Sequence, residues 1–125
     1  MDKVKCLRLY ADPEGESHFG ETEFAMKSAV VIPPSPPVDV SAPVSAARFM
    51  FVSGPPGYDA GLHPAPRKQL VVFLKGQFEF NTTDGQTRVM GPGDFVLVED
   101  TTGRGHYTRV TGADDGLLLF VQLSD

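Results

Sequence analysis

Gln69-Leu70-Val71-Val72-Phe73-Leu74-Lys75-Gly76-Gln77-Phe78-Glu79-Phe80-Asn81-Thr82-Thr83-Asp84-Gly85-Gln86-Thr87-Arg88-Val89 (residues 69–89) holds a strand and a hairpin in succession. Gln69 to Leu74 is a continuous extended run closed by Lys75-Gly76. Phe78 and Phe80 then alternate with polar residues up to Asp84-Gly85, and Thr87, Arg88 and Val89 lead back out, the signature of a β-hairpin. The period of two along a strand sets Gln69, Val71 and Phe73 on one face and Leu70, Val72 and Leu74 on the other. Both faces are apolar, so both need cover. One is expected to line a pocket, the other to be buried by the N-terminal segment or a second copy of the chain.

The same punctuation extends on either side. Arg48 to Val52 reads as a strand ended by Ser53-Gly54-Pro55-Pro56-Gly57, and Gly91-Pro92-Gly93-Asp94 is a turn before the strand Phe95 to Val98. Tyr107 to Val110 and Leu117 to Leu123 supply two more. Turns about ten residues apart, with no helical period of 3.6, predict an all-β sandwich or barrel. Only Ser41 to Ala47 has some helical propensity, and Pro43 weakens it. Upstream, Leu7, Leu9, Tyr10, Phe19, Phe24 and Met26 predict one or two irregular strands. Pro33-Pro34-Ser35-Pro36-Pro37 cannot enter a helix interior or central strand, because each Pro lacks an N–H, and is expected to run as an extended polyproline-like arm over the surface. Residues 1–125 are therefore read as one domain, with strands and a Pro-rich arm in 1–45 and a barrel in 46–125.

A chain of 125 residues can bury roughly 65–70% of its unfolded surface, enough for a core without disulfides. Its 13 Gly and 11 Pro exceed the usual share of about 12% for the two together, which suits many short strands and tight turns. The net charge of −5 and scattered Lys and Arg argue against nucleic acid and anionic membranes as partners. Cys6 has no disulfide partner and reads as a packing residue. Met1 to Tyr10 lacks the apolar core of a signal peptide and no apolar run reaches membrane-span length, so a cytoplasmic location is expected, with Asn81-Thr82-Thr83 only a polar turn.

Three histidines exist: His18, His63 and His106. The segment from Gly57 through His63, Ala65, Gln69 and Gly76 follows the spacing G-x5-H-x-H-x3-E-x6-G, and Gly93 through Gly103 and His106 is similar to a second pattern, G-x5-P-x-G-x2-H. On these residues the chain, from about residue 47 to its end, resembles the cupin superfamily. That resemblance implies a double-stranded β-helix, or jelly-roll barrel, with a small-molecule pocket, and a homodimer paired through its sheets. It also implies one divalent metal (Fe, Mn, Ni or Zn) held by three histidines and a glutamate. Carried over by position, His63 and His106 match two of the ligands, while Ala65 stands for a histidine and Gln69 for the glutamate. The proline of the second motif is absent, with Asp100-Thr101-Thr102 in its neighbourhood.

Two readings follow. In one the protein is an enzyme of isomerase, lyase or dioxygenase type on a small organic substrate, with His63 and His106 catalytic and a metal on His63, Gln69 and His106. The other is a non-catalytic binding or sensor module that has lost the metal. A partly desolvated histidine could also move a proton without metal. Arg67 could anchor a carboxylate by a bidentate pair; Tyr58, Tyr107 and Phe73 are the further expected substrate contacts. Asp100 either orients His106 or begins a turn with Thr102. His18 lies outside the resembling region and is expected on the surface.

Overall fold

The computed structural model describes all residues, 1–125. Ten strands and no helix form it: β1 (Lys3–Ala11), β2 (Ser17–Ala29), β3 (Val38–Ser41), β4 (Ala46–Gly54), β5 (Gln69–Lys75), β6 (Phe78–Thr82), β7 (Thr87–Met90), β8 (Phe95–Val98), β9 (His106–Val110) and β10 (Gly116–Leu123). Seven make one sheet in the order β3-β2-β1-β8-β5-β10-β4, and three make another in the order β7-β6-β9. The sheets close on a shared core. Leu9, Val71, Val96, Val98 and Leu118 come from the large sheet and Phe78, Phe80, Met90 and Val110 from the small one. Phe73 sits between Phe78 and Phe80, with ring centroids at 5.4 and 5.6 Å in edge-to-face geometry. Each such buried side chain contributes about 1.5–3 kcal/mol, and aromatic pairing adds to it.

The hairpin at Asp84-Gly85 forms as its sequence requires: Gly85 has φ 87° and its N–H donates to the Thr82 carbonyl. The alternation in β5 is also observed, with Gln69, Val71 and Phe73 buried.

The N-terminal region departs from expectation. Instead of irregular strands, β1 and β2 pair in unbroken antiparallel register from Lys3↔Ala25 to Ala11↔Ser17, and β1 also pairs parallel to β8 through Leu7↔Val96 and Leu9↔Val98. Leu7 and Leu9 thus join the core face of the barrel sheet. Pro33-Pro34, joined by a cis bond, sits in a turn closed by the Ser35 N–H on the Ile32 carbonyl. The Pro-rich segment is exposed, as expected, but it connects β2 to β3 and does not run on as a polyproline helix. Pro43 and Val44 then cross the outer sheet face, where with Val4, Cys6, Phe24 and Leu70 they line a cavity of about 340 Å³. This partly answers the demand for cover on the second face of β5. Phe49 and Phe51 on the edge strand β4 stay 66% and 64% exposed.

Candidate functional site

A cavity of about 370 Å³ opens between the sheets. His106 begins β9, whose inward positions are His106, Thr108 and Val110. His63 arrives on the loop between β4 and β5, and the two histidines exchange backbone hydrogen bonds, the His106 N–H to the His63 carbonyl at 2.9 Å and the reverse at 3.1 Å. Gly105 permits this approach. It has φ 87°, and a Cβ there would lie 2.0 Å from the His63 carbonyl carbon. The imidazole centroids stand 4.9 Å apart, and Phe80 stacks on the His106 ring at 5.5 Å.

The partners of each ring set its tautomer. His63 Nδ1 lies 2.8 Å from the Gly61 carbonyl, which can only accept, so Nδ1 carries the hydrogen. His106 Nδ1 lies 2.6 Å from Asp100 Oδ2, and an ionised carboxylate likewise only accepts. Both rings, when neutral, therefore keep a lone pair on Nε2. Neither Nε2 has a protein partner, and both rings line the cavity.

Asp100 resolves the open alternative: it orients His106. Its side chain is fully buried, with Oδ1 lacking any partner, and the Ala65 N–H holds its backbone carbonyl. The loop carrying it is braced from the N-terminal hairpin. Ser17 Oγ donates to the Gly105 carbonyl at 2.7 Å, and the Arg104 N–H donates to the Gly15 carbonyl. Burial pushes the neighbouring Glu99 carboxyl up, but Lys68 at 2.7 Å and Arg8 at 2.5 Å hold it below the usual range.

Gln69 lines the cavity, but its amide is already oriented. Arg48 Nε, which can only donate, lies 2.5 Å from Gln122 Oε1, and Gln122 Nε2 lies 3.2 Å from Gln69 Oε1. The Gln69 oxygen thus accepts from Gln122, and its NH2, which has no protein partner, is free to donate into the cavity. Gln122 and Arg48 escaped the sequence reading. Gln122 could have been found as a polar residue at an inward position of the otherwise apolar run Leu118, Phe120, Gln122.

The metal implied by the resemblance needs four donors. Here two imidazole nitrogens remain, Ala65 offers a methyl group, and Gln69 turns an N–H2 where a carboxylate oxygen should be. No group of three or more His, Cys, Asp or Glu is placed to hold a metal ion. The residues present do not fit that four-donor centre, because only the imidazoles of His63 and His106 are retained from it.

Of the expected substrate contacts, Tyr58 lines the cavity, whereas Arg67 and Tyr107 do not. Phe73 is core packing behind Phe78 and Phe80. Tyr107 misses because it follows His106 on β9 and so faces outward. His18 is a bridge between turns: Nε2 lies 2.6 Å from Asp12 and Nδ1 2.9 Å from Asp84. The Asp12 and Asp84 hydrogen bonds raise its pKa above the ordinary 6.5.

No helix is long and apolar enough to cross a membrane. Among solved structures, the chain is similar to a cupin domain from Bordetella pertussis, 16% identical over 80% of this chain and 94% of that one, with a TM-score of 0.52. A Neisseria meningitidis protein is 18% identical over 61% and 72%, with a TM-score of 0.49. A Streptococcus pyogenes protein of unknown function is 19% identical, with a TM-score of 0.48; the match covers 62% of this chain and 63% of that protein, just under two thirds of its length. These likenesses concern the fold. No curated protein matches the sequence. The model of the cupin domain family matches residues 50–122, more than half of the chain and the whole segment that builds the cavity, and the chain therefore belongs to the cupins.

Proposed function

We propose that this cupin binds a small organic molecule in its barrel and moves a proton on it without a metal, as an enzyme of isomerase or lyase type. The observation that carries this reading is the buried Asp100 at 2.6 Å from His106 Nδ1, which leaves His106 Nε2 as a base at the cavity wall. A C–H or O–H acid of the substrate gives its proton to Nε2 and keeps the electron pair. Return of the proton at another atom gives an isomer, and departure of a leaving group gives elimination. Asp100 stabilises the imidazolium formed in between. His63 supplies a second acceptor beside it.

The test has two parts. Protein purified without chelator is assayed for Fe, Mn, Ni and Zn, and a panel of small carbon acids is incubated in D2O and followed by NMR for C–H exchange. Exchange that His106→Ala abolishes is expected. Stoichiometric metal lost in His63→Ala and His106→Ala would overturn the metal-free reading. The mostly apolar cavity favours a second reading, ligand binding without turnover, and this is the outcome if a ligand binds but no proton exchanges. Pairing of two copies through β4 accounts for its exposed Phe49 and Phe51. Light scattering should then give about twice 13.5 kDa, and a clean monomer refutes it.

A further inference from the structure

The polar groups of the cavity specify what it accepts. None of its 18 lining residues is Asp, Glu, Lys or Arg. Two formal charges stand in the layer behind the polar lining: Asp100 behind His106, and Arg48 behind Gln122 and Gln69. The relay that begins at Arg48 can run only one way, so Gln69 presents hydrogen-bond donors. Each histidine, when neutral, holds its hydrogen on Nδ1 and presents an acceptor at Nε2. Strand register gathers these groups at one end of the barrel. Gln69 pairs with Val98, just before the loop that carries Asp100 to His106, whereas Val110 pairs with Phe78 at the opposite end. The cavity therefore has a polar end with the Gln69 donor and the two histidine acceptors, an apolar body around Phe78, Val110 and Leu118, and further neutral hydroxyls on Ser53, Tyr58 and Thr108 among its lining residues.

We infer that the ligand is an uncharged molecule with an apolar body and one compact head that both donates and accepts hydrogen bonds, a carboxamide, phenol or hydroxy-carbonyl. This rests on the small-molecule reading above and narrows it. A carboxylate or phosphate head meets two lone pairs, with the Asp100 charge behind them and no lining cation. An ammonium head loses its hydration and gains no counter-charge in the lining. Arg48, which touches no ligand, acts through Gln122 and Gln69 as a positioning residue for this selectivity.

Four probes of one ring size separate the possibilities: benzene, benzamide, benzoate and benzylamine, titrated into the full chain with 1H–15N NMR detection. Benzamide should shift the Gln69 side-chain amide and bind about tenfold to hundredfold more tightly than benzoate or benzylamine, the factor carried by one unpaired buried polar contact. Benzene should enter without moving that amide. Benzoate or benzylamine binding as tightly as benzamide overturns the inference, as does benzamide binding with the Gln69 amide unmoved. In both cases the pocket still binds small molecules and the broader reading stands. If none of the four shifts a lining residue, the small-molecule reading itself fails and takes the inference with it. Arg48→Met releases the amide orientation. The preference for benzamide over benzoate should narrow while benzene affinity holds, and an unchanged preference refutes the role of Arg48.

Discussion

Replacing Asp100 with Ala tests the central claim that a buried acid holds His106 in one tautomer. The substitution removes the hydrogen bond from His106 Nδ1, a charge-assisted contact worth about 1.5–3 kcal/mol. It also removes Oδ1, a buried acceptor with no partner, and that offsets roughly 1 kcal/mol of the loss. The bond from the Ala65 N–H is to the backbone carbonyl of residue 100 and survives. A net loss of about 0.5–2 kcal/mol remains, and in a chain of this length it lowers Tm by about 2–10 °C. Long-range 1H–15N correlation spectra give the readout that separates positioning from packing. In the native protein His106 should be wholly Nδ1–H; in Asp100→Ala it should become a mixture containing Nε2–H. An unchanged Tm together with a persistent Nδ1–H form would refute the reasoning.

Gly105→Ala should cost at least about 3 kcal/mol in urea unfolding, because strain at φ 87° adds to a clash with the backbone of His63 and Pro64 that neither can relieve by rotating a side chain. The His18 bridge predicts a window of pH. The raised His18 pKa gives stability that is present below 6.5 and is lost as pH rises through the folded value. Asp12 is held down chiefly by its His18 hydrogen bond. Burial pushes Asp84 up, and Thr82 and His18 outweigh it. Both carboxylates give stability that is present above 3.8 and is lost as pH falls through their lowered values. Tm should therefore show an excess between about pH 4 and 6.5 that His18→Gln removes, and an identical pH profile in the variant counts against the bridge. Ala65→His combined with Gln69→Glu restores the family's donor set around two Nε2 atoms already facing the cavity. Calorimetric titration with Ni or Zn should show binding at least about a hundredfold tighter than in the native protein, and no gain means the donor set was misread.

The strands from residue 46 onward were legible because their evidence is local. Alternation in Phe78-Glu79-Phe80, Asp84-Gly85 at the hairpin and Gly91-Pro92-Gly93-Asp94 before β8 each act over a few residues, and the structure keeps them all. His63 and His106 were legible as cavity candidates through motif spacing. The N-terminal strands were legible as strands but their regular pairing was not, because β1 is joined to β8, more than eighty residues away in sequence, through a parallel pairing that leaves no turn signal. Arg67 and Tyr107 lie outside the cavity lining, Tyr107 because the residue after an inward-facing His106 on a strand takes the opposite face.

By itself the sequence determined that this chain is an all-β barrel with two histidines near its mouth and without the second histidine and the glutamate of the usual metal set. Only the tertiary structure decided what those histidines can do. Asp100 could equally have begun a turn, and an amide at position 69 could equally have offered its oxygen. A hydrogen bond's direction depends on the partner at its far end, and these partners, Gln122 for Gln69 and Arg48 for Gln122, are brought together across β4, β10 and β5 by sheet register alone.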